Sequence, residues 1–315
     1  MKIIFIILLT FFSSILYAED INFAENTEID LGLNSESNLV PKVNLPIYWN
    51  SNIYSALGIN VFHTSETSDI DGTPGSRQLY EATETVYNFT PIGYRQTFSA
   101  ANVYLGLVYT YRDAESSEFG YMNMPTSLGG ELVALENNID YNLHSISAEF
   151  AIEYKDDFML INLSGRISPW QYLDLSQDTV AKPIVQTNAD MNTTTSMTEL
   201  SYNIAGSAAF KLHRFIGVRI NASYNFMPIE YDLDMLDYDG TFHFSKGNVS
   251  EEETLLSYGL QLFIPTLNIA GLSPSIGYEE RKYDVNNKTT MGDISEEDKS
   301  SYTEHIVSLG LVYNW

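Results

Sequence analysis

The stretch Ser308 to Trp315, SLGLVYNW, alternates strictly: Leu309, Leu311, Tyr313 and Trp315 are interleaved with Ser308, Gly310, Val312 and Asn314. With a period of two, Val307, Leu309, Leu311, Tyr313 and Trp315 fall on one face of a β-strand. Chain ends are ordinarily polar and frayed unless something ties them down. An apolar run finishing on tryptophan is therefore expected to be built into a sheet. What covers its apolar face decides the fold.

The same alternation recurs in about a dozen segments, many close to the 9 to 11 residues that a tilted strand needs to cross hydrocarbon. Val103, Leu105, Leu107, Tyr109 and Tyr111 oppose Asn102, Tyr104, Gly106, Val108 and Thr110. Met159, Ile161, Leu163 and Ile167 oppose Asn162, Ser164, Arg166 and Ser168. Ile216, Val218, Ile220, Ala222, Tyr224 and Phe226 oppose Arg219, Asn221, Ser223 and Asn225. A soluble β-sandwich would also alternate in this way, burying one face and wetting the other.

The connections separate the two architectures. Links 49–52, 97–100, 155–157, 213–214 and 265–271 are short, whereas links 64–85, 113–139, 169–196, 229–253 and 284–301 are long. Short and long links taken in turn are the signature of an up-and-down barrel, with tight turns at one end and large loops at the other. The five long links also hold 26 of the 41 acidic residues against five of the 16 basic ones. The strands themselves are thus nearly neutral on balance.

Bulk composition narrows the class. Lys2, the apolar run from Ile3 to Leu16 and Ala18 read as an export signal over residues 1–18. No later run is apolar and long enough for a transmembrane helix, so a membrane form of this chain is expected to cross with strands. The absence of cysteine excludes a disulfide scaffold and a thiolate metal site. A net charge of −25 argues against nucleic acid as a partner.

Ser308, Gly310, Tyr313 and Trp315 fit a polar-x-Gly-x-x-aromatic-x-aromatic pattern. It resembles the C-terminal signal that Gram-negative outer-membrane barrels present to their assembly machinery, with tryptophan in place of the more usual phenylalanine. Tyrosines at predicted strand ends, among them Tyr48, Tyr54, Tyr94, Tyr154, Tyr278 and Tyr313, resemble the aromatic girdles of such barrels. The resemblance implies an outer-membrane location among lipid and lipopolysaccharide. It also implies closure of the last strand on a first strand near Ile29, Leu31 and Leu33.

Strand parity points Glu149, Arg166, Glu199 and Arg219 into the lumen as candidate pore-wall residues, with Glu153, Glu279, Lys211 and Arg281 also inward. These charges fit either a selective polar pore or a packed, salt-bridged interior. A rival chemistry is carried by His63-x-Ser65, whose spacing is similar to that of outer-membrane phospholipase A and barrel-type lipid A deacylases. Asn88 or Glu84 on the next strand would have to orient the histidine, and Glu66 stands where those families place an asparagine. Asp232, Asp234, Asp237 and Asp239 could gather a divalent cation, although their spacing misses the EF-hand pattern.

The sequence thus specifies an all-β protein with residues 19–315 as one closed antiparallel up-and-down transmembrane β-barrel of about 12 strands. The expected role is porin-like passage of small polar or cationic solutes without a cofactor. An outer-membrane lipid hydrolase and a non-conducting surface scaffold or adhesin are the alternatives.

Overall fold

The computed structural model describes residues 27–69, 77–99, 101–123, 132–182, 188–238, 242–267, 271–291, 294–313 and 315; the export signal read at 1–18 lies outside them. These residues form thirteen strands: β1 (Glu28–Asn34), β2 (Leu39–Tyr48), β3 (Ile53–Asp69), β4 (Arg77–Phe98), β5 (Ala101–Asn123), β6 (Leu132–Lys155), β7 (Met159–Lys182), β8 (Asn188–Met197), β9 (Ser201–His213), β10 (Ile216–Tyr238), β11 (Phe242–Phe263), β12 (Leu272–Met291) and β13 (Ile294–Tyr313). They make one antiparallel sheet that closes on itself. Closure is made by β1 against β13, from Glu28↔Val312 through Ile29↔Leu311, Leu31↔Leu309 and Leu33↔Val307 to Asn34↔Ile306. The expected partner of the last strand is the observed one.

Twelve positions in the wall are filled by thirteen strands because β8 and β9 share one. The inner half of β7, Met159 to Ser168, pairs with β9, and its outer half, Gln171 to Val180, pairs with β8. Between them the chain leaves the ladder at Thr198 to Leu200. The β9–β10 ladder ends at Phe226↔Tyr202, two residues before Pro228, which has no N–H to offer a neighbouring strand. Among the described residues no ladder joins β8 to β10 beyond that point. The wall is held there by other bonds: Gln171 Nε2 donates to the Pro228 carbonyl (3.4 Å), and the Glu230 N–H points at Met197 Sδ (3.2 Å).

The outer surface carries the apolar parity. Leu105, Leu107, Phe150, Ile152, Leu163, Ile167, Ile204, Ile220, Leu260, Ile276, Val307 and Leu309 are all exposed, Leu309 by 66%. Inward positions on the same strands are buried, such as Asn102, Tyr104 and Val108 on β5. A chain in water gains by covering such a band, at about 25 cal/mol for each Å² of apolar area removed. A closed wall leaves it to an apolar surrounding.

The short links turn where expected, and two of them share one device with the β1–β2 turn. Asn34 Oδ1 accepts from the N–H groups of Glu36 (3.1 Å) and Asn38 (2.8 Å). Asn50 Oδ1 accepts from Asn52 and Ile53, both at 2.8 Å, and Asp156 Oδ1 accepts from Phe158 and Met159, also at 2.8 Å. A side-chain oxygen thus replaces the missing ladder partner. Gly271 takes φ 88° ahead of β12, a conformation that suits glycine.

The long links differ from expectation. Much of their length continues the ladders beyond the apolar band, so β5 runs 23 residues and β6 and β7 run 24 each. β12 and β13 remain paired up to Met291↔Ile294. Antiparallel pairing needs no hydrocarbon once the register is set, and polar residues alternate there on both faces. Most of the acidic residues therefore ride on protruding hairpins.

Gly310 lies opposite Asp30 on the closing ladder. A Cβ there would collide with Asp30 Oδ1 and meet the Ile29 carbonyl oxygen at 2.6 Å, whereas at Gly165 it would have only the Asn203 carbonyl at 4.0 Å. Gly310→Leu is expected to abolish the compact, heat-modifiable band on unboiled gels, and Gly165→Ala to preserve it. In the β6–β7 turn the amides of Met159 and Phe158 hold the Asp156 carboxyl below the usual carboxylate range. Its stabilisation is present at neutral pH and disappears as pH falls through that lowered value. Asp156→Ala should lower the melting temperature at pH 7 and have little effect once the pH is below that lowered value.

Candidate functional site in the lumen

Inward side chains divide the lumen into layers. At the short-turn end, Tyr54, Tyr104 and Ala151 are buried against Tyr48 and Ala56, with the Arg95 guanidinium 5.1 Å from the centre of the Tyr48 ring and 5.7 Å from that of Tyr104. Glu153, 1% exposed, accepts from Asn102 Nδ2 (2.8 Å) and the Tyr104 hydroxyl (3.3 Å). Across the lumen Leu160, Ala209, Phe263 and Val312 pack with Trp315. The Lys211 ammonium lies 4.5 Å from the Trp315 ring centre and donates to its carbonyl.

Three expectations, for Tyr48, Tyr54 and Trp315, are corrected here. Tyr54 shares the even, inward parity of Ala56, Asn60 and Phe62 on β3, and its register partner Tyr48 on β2 lies on the same side, so neither belongs to an outer girdle; the bulge nearby sits on β4, at Pro91 and Ile92. Trp315 does not continue the outward face of Leu309. Once β13 ends at Tyr313 the ladder no longer fixes its side, and the indole packs against Phe263 with ring centres 5.6 Å apart and planes tilted by 56°.

Above this floor lies a polar cavity of about 400 Å³ lined by Asn88, Ser147, Asn162, Ser164, Asn203 and Asn221 among others. Arg166 and Arg219 stand on its wall. Arg166 is opposite Glu149 in the β6–β7 register, with Nη2 to Oε1 3.5 Å, and its Nη1 donates to Asn88 Oδ1 at 2.6 Å. Arg219 lies 3.8 Å from Glu28, which also pairs with Lys42 at 3.4 Å. Glu199 is exposed in the break between β8 and β9, away from this lining, because the interruption resets the alternation that placed it inward.

A partition of ion pairs separates this cavity from an outer vestibule of about 720 Å³, and Phe62 lines both. Arg281, 2% exposed, donates Nε to Glu279 (2.7 Å) and Nη1 to Glu304 (3.4 Å) and the Val61 carbonyl (3.2 Å). Nη2 donates to Asn60 Oδ1 at 3.2 Å, and the guanidinium carbon sits 4.6 Å from the Phe62 ring centre. Beside it Arg112 bridges Glu84 and Glu253, the latter at 3.2 Å. Glu84, Arg112, Glu253 and Glu304 were not expected on the pore wall. Extending the strand parity past the apolar band would have found them.

The hydrolytic constellation is not assembled. His63 lies on the outward parity and meets Thr83 Oγ1 at 2.9 Å, its register partner on β4. Asn88 pairs with Gly58, five positions away, and turns into the lumen toward Arg166 and Thr110; Glu84 turns inward to Arg112. The side chain of Ser65 lies outside the described residues. Of the proposed cation ligands, Asp232 accepts from Asn248 Nδ2 at 3.3 Å, the side chains of Asp234 and Asp237 lie outside the described residues, and so does Asp239. Among the described residues no group of three or more His, Asp or Glu is placed to hold a metal ion.

The sequence matches no protein-family model and no curated protein. Among solved structures the chain is similar to the translocator domain of the autotransporter NalP from Neisseria meningitidis, at 13% identity and a TM-score of 0.45, with 92% of this chain and 87% of that one covered. It is also similar to the toluene transporter TodX of Pseudomonas putida, at 8% identity and 0.39, covering 95% and 91%. The CymD monoaromatic hydrocarbon channel gives 11% and 0.37, covering 92% and 89%. Likeness at this level transfers no activity.

The Arg281 network can be broken from either side. Arg281→Met would leave Glu279 and Glu304 buried without their shared cation, which costs about 3–5 kcal/mol in comparable pairs. Urea unfolding of the reconstituted barrel should show a loss of that order. Glu304→Gln, which keeps an acceptor for Asn34 and Arg281, should lose less than half as much.

Proposed function

We propose that this chain is an outer-membrane barrel of a Gram-negative bacterium that lets small polar solutes, preferentially cations, pass through its lumen. It would be exported by the signal at 1–18 and inserted through its C-terminal strand, with Ser308, Gly310, Tyr313 and Trp315 as the assembly signal. The outward apolar band supports the location, and lipid and lipopolysaccharide would surround it.

The observation that carries the channel reading is the pair of cavities along one lumen, divided only by side chains. The outer one is lined by Glu84, Glu118, Glu251 and Glu253 against Lys299, so the mouth would concentrate cations. The inner one offers hydroxyls, amides and the Glu149–Arg166 and Arg219–Glu28 pairs, which can replace part of a solute's hydration shell. Phe62, shared by both cavities, is the side chain whose displacement would join them.

The test is single-channel recording of the purified protein in planar bilayers under a KCl gradient. The reversal potential should report a preference for K⁺. A carboxylate about 4 Å from an ion in water is worth about 1 kcal/mol. Glu251→Gln is therefore expected to lower the preference by up to about fivefold. Phe62→Ala should raise the conductance. A silent bilayer for both parent and Phe62→Ala would reject the channel.

A further inference from the structure

The vestibule differs from the inner cavity in a way that simple cation passage does not require. One wall is apolar: Leu173, Leu175, Ile229 and Val249 line it and belong to a buried cluster with Leu143, Met197 and Met227. A second wall is aromatic. Tyr283 and Tyr302, register partners on β12 and β13, stack with ring centres 4.4 Å apart and planes 11° apart, and Tyr231 lies across from them.

Carboxylates stand between these walls. Glu253 is bound by Arg112, which also holds Glu84. Glu251, two residues along the same strand, accepts from the Tyr231 hydroxyl at 3.2 Å and has no ion-pair partner among the described residues. Asn287, the register partner of Glu251 on β12, has its Oδ1 enclosed on the lining without a hydrogen-bond partner. Buried polar atoms are ordinarily paired, so an acceptor left open beside a carboxyl group calls for a donor that carries positive charge.

We infer that the vestibule is a binding site for organic cations with an apolar or aromatic body, the ammonium group at Glu251 and Asn287 and the body between the tyrosines and the Leu175–Ile229–Val249 wall. This deepens the channel reading and rests on it for the direction of passage. A hydrated inorganic ion gains nothing from the apolar wall, and a neutral hydrocarbon gains nothing from the carboxylate. An aromatic face also attracts a cation directly.

Isothermal titration calorimetry of the full-length protein in nanodiscs, with benzylammonium as the probe, tests this. Methylammonium supplies the charged donor without the body, and benzyl alcohol the body without the charge. The probe is expected to bind at least tenfold more tightly than either, and Glu251→Gln and Tyr302→Leu should each weaken it at least fivefold. Equal affinity for methylammonium or for benzyl alcohol would overturn the inference, as would an unchanged affinity in Glu251→Gln. Selective binding by a protein that is silent in bilayers would reject the channel and keep the site. Conductance without selectivity for the probe would do the reverse.

Discussion

The antiparallel ladder between β1 and β13 is the constraint on which everything else depends. Before it forms, the sheet has two edges, and each backbone group left unpaired in hydrocarbon costs several kcal/mol. Once Glu28 to Asn34 lie along Val312 to Ile306, no edge of the wall at that level is left open, and every inward side chain must find a partner within a narrow lumen. The tight approach at Gly310 follows from the same closure. Asp30 sits directly across from it, and its carboxylate accepts from Gln261 Nε2 at 3.1 Å on the far side.

An outward face given over to apolar side chains forces polarity inward, and that accounts for the ion pairs. Arg281 is nearly sealed from solvent yet has two carboxylates, an amide oxygen, a backbone carbonyl and an aromatic face around it. A buried ion pair is weak evidence of added stability, because desolvation offsets most of the attraction. Its consequence is rather positional. The network holds Phe62 at the boundary of the two cavities, so the same bonds that satisfy the buried charges also set how the lumen is divided.

Much of the fold was legible in the sequence because period-two alternation is rigid wherever one face meets an apolar surrounding. The outward residues of β5, β7 and β10, the short turns and the partner of the last strand all follow from it. What escaped has local causes. The break at Thr198 to Leu200 resets the alternation and misplaced Glu199, whereas Tyr48 and Tyr54 were read as girdle residues from their place at strand ends although parity turns both inward. The hairpins were read as loops because beyond the apolar band alternation no longer separates apolar from polar, and Glu84, Arg112 and Glu253 were missed with them. The pairing of Glu149 with Arg166 needed only register, whereas the meeting of Arg281 with Phe62 and Asn60 crosses the lumen and has no trace in local pattern.

Because the chain has no cysteine, single cysteines carrying a spin label can be placed one at a time along β5 in lipid vesicles. The decisive measurement is the accessibility of each label from position 102 to position 109 to oxygen, which dissolves in hydrocarbon, and to a water-soluble nickel chelate. Labels at Leu105, Leu107 and Tyr109 should be reached by oxygen and shielded from nickel, and labels at Asn102, Tyr104 and Val108 should not share that lipid signature. Uniform access to nickel at all positions, or the opposite phase of alternation, would contradict a barrel whose greasy side faces lipid.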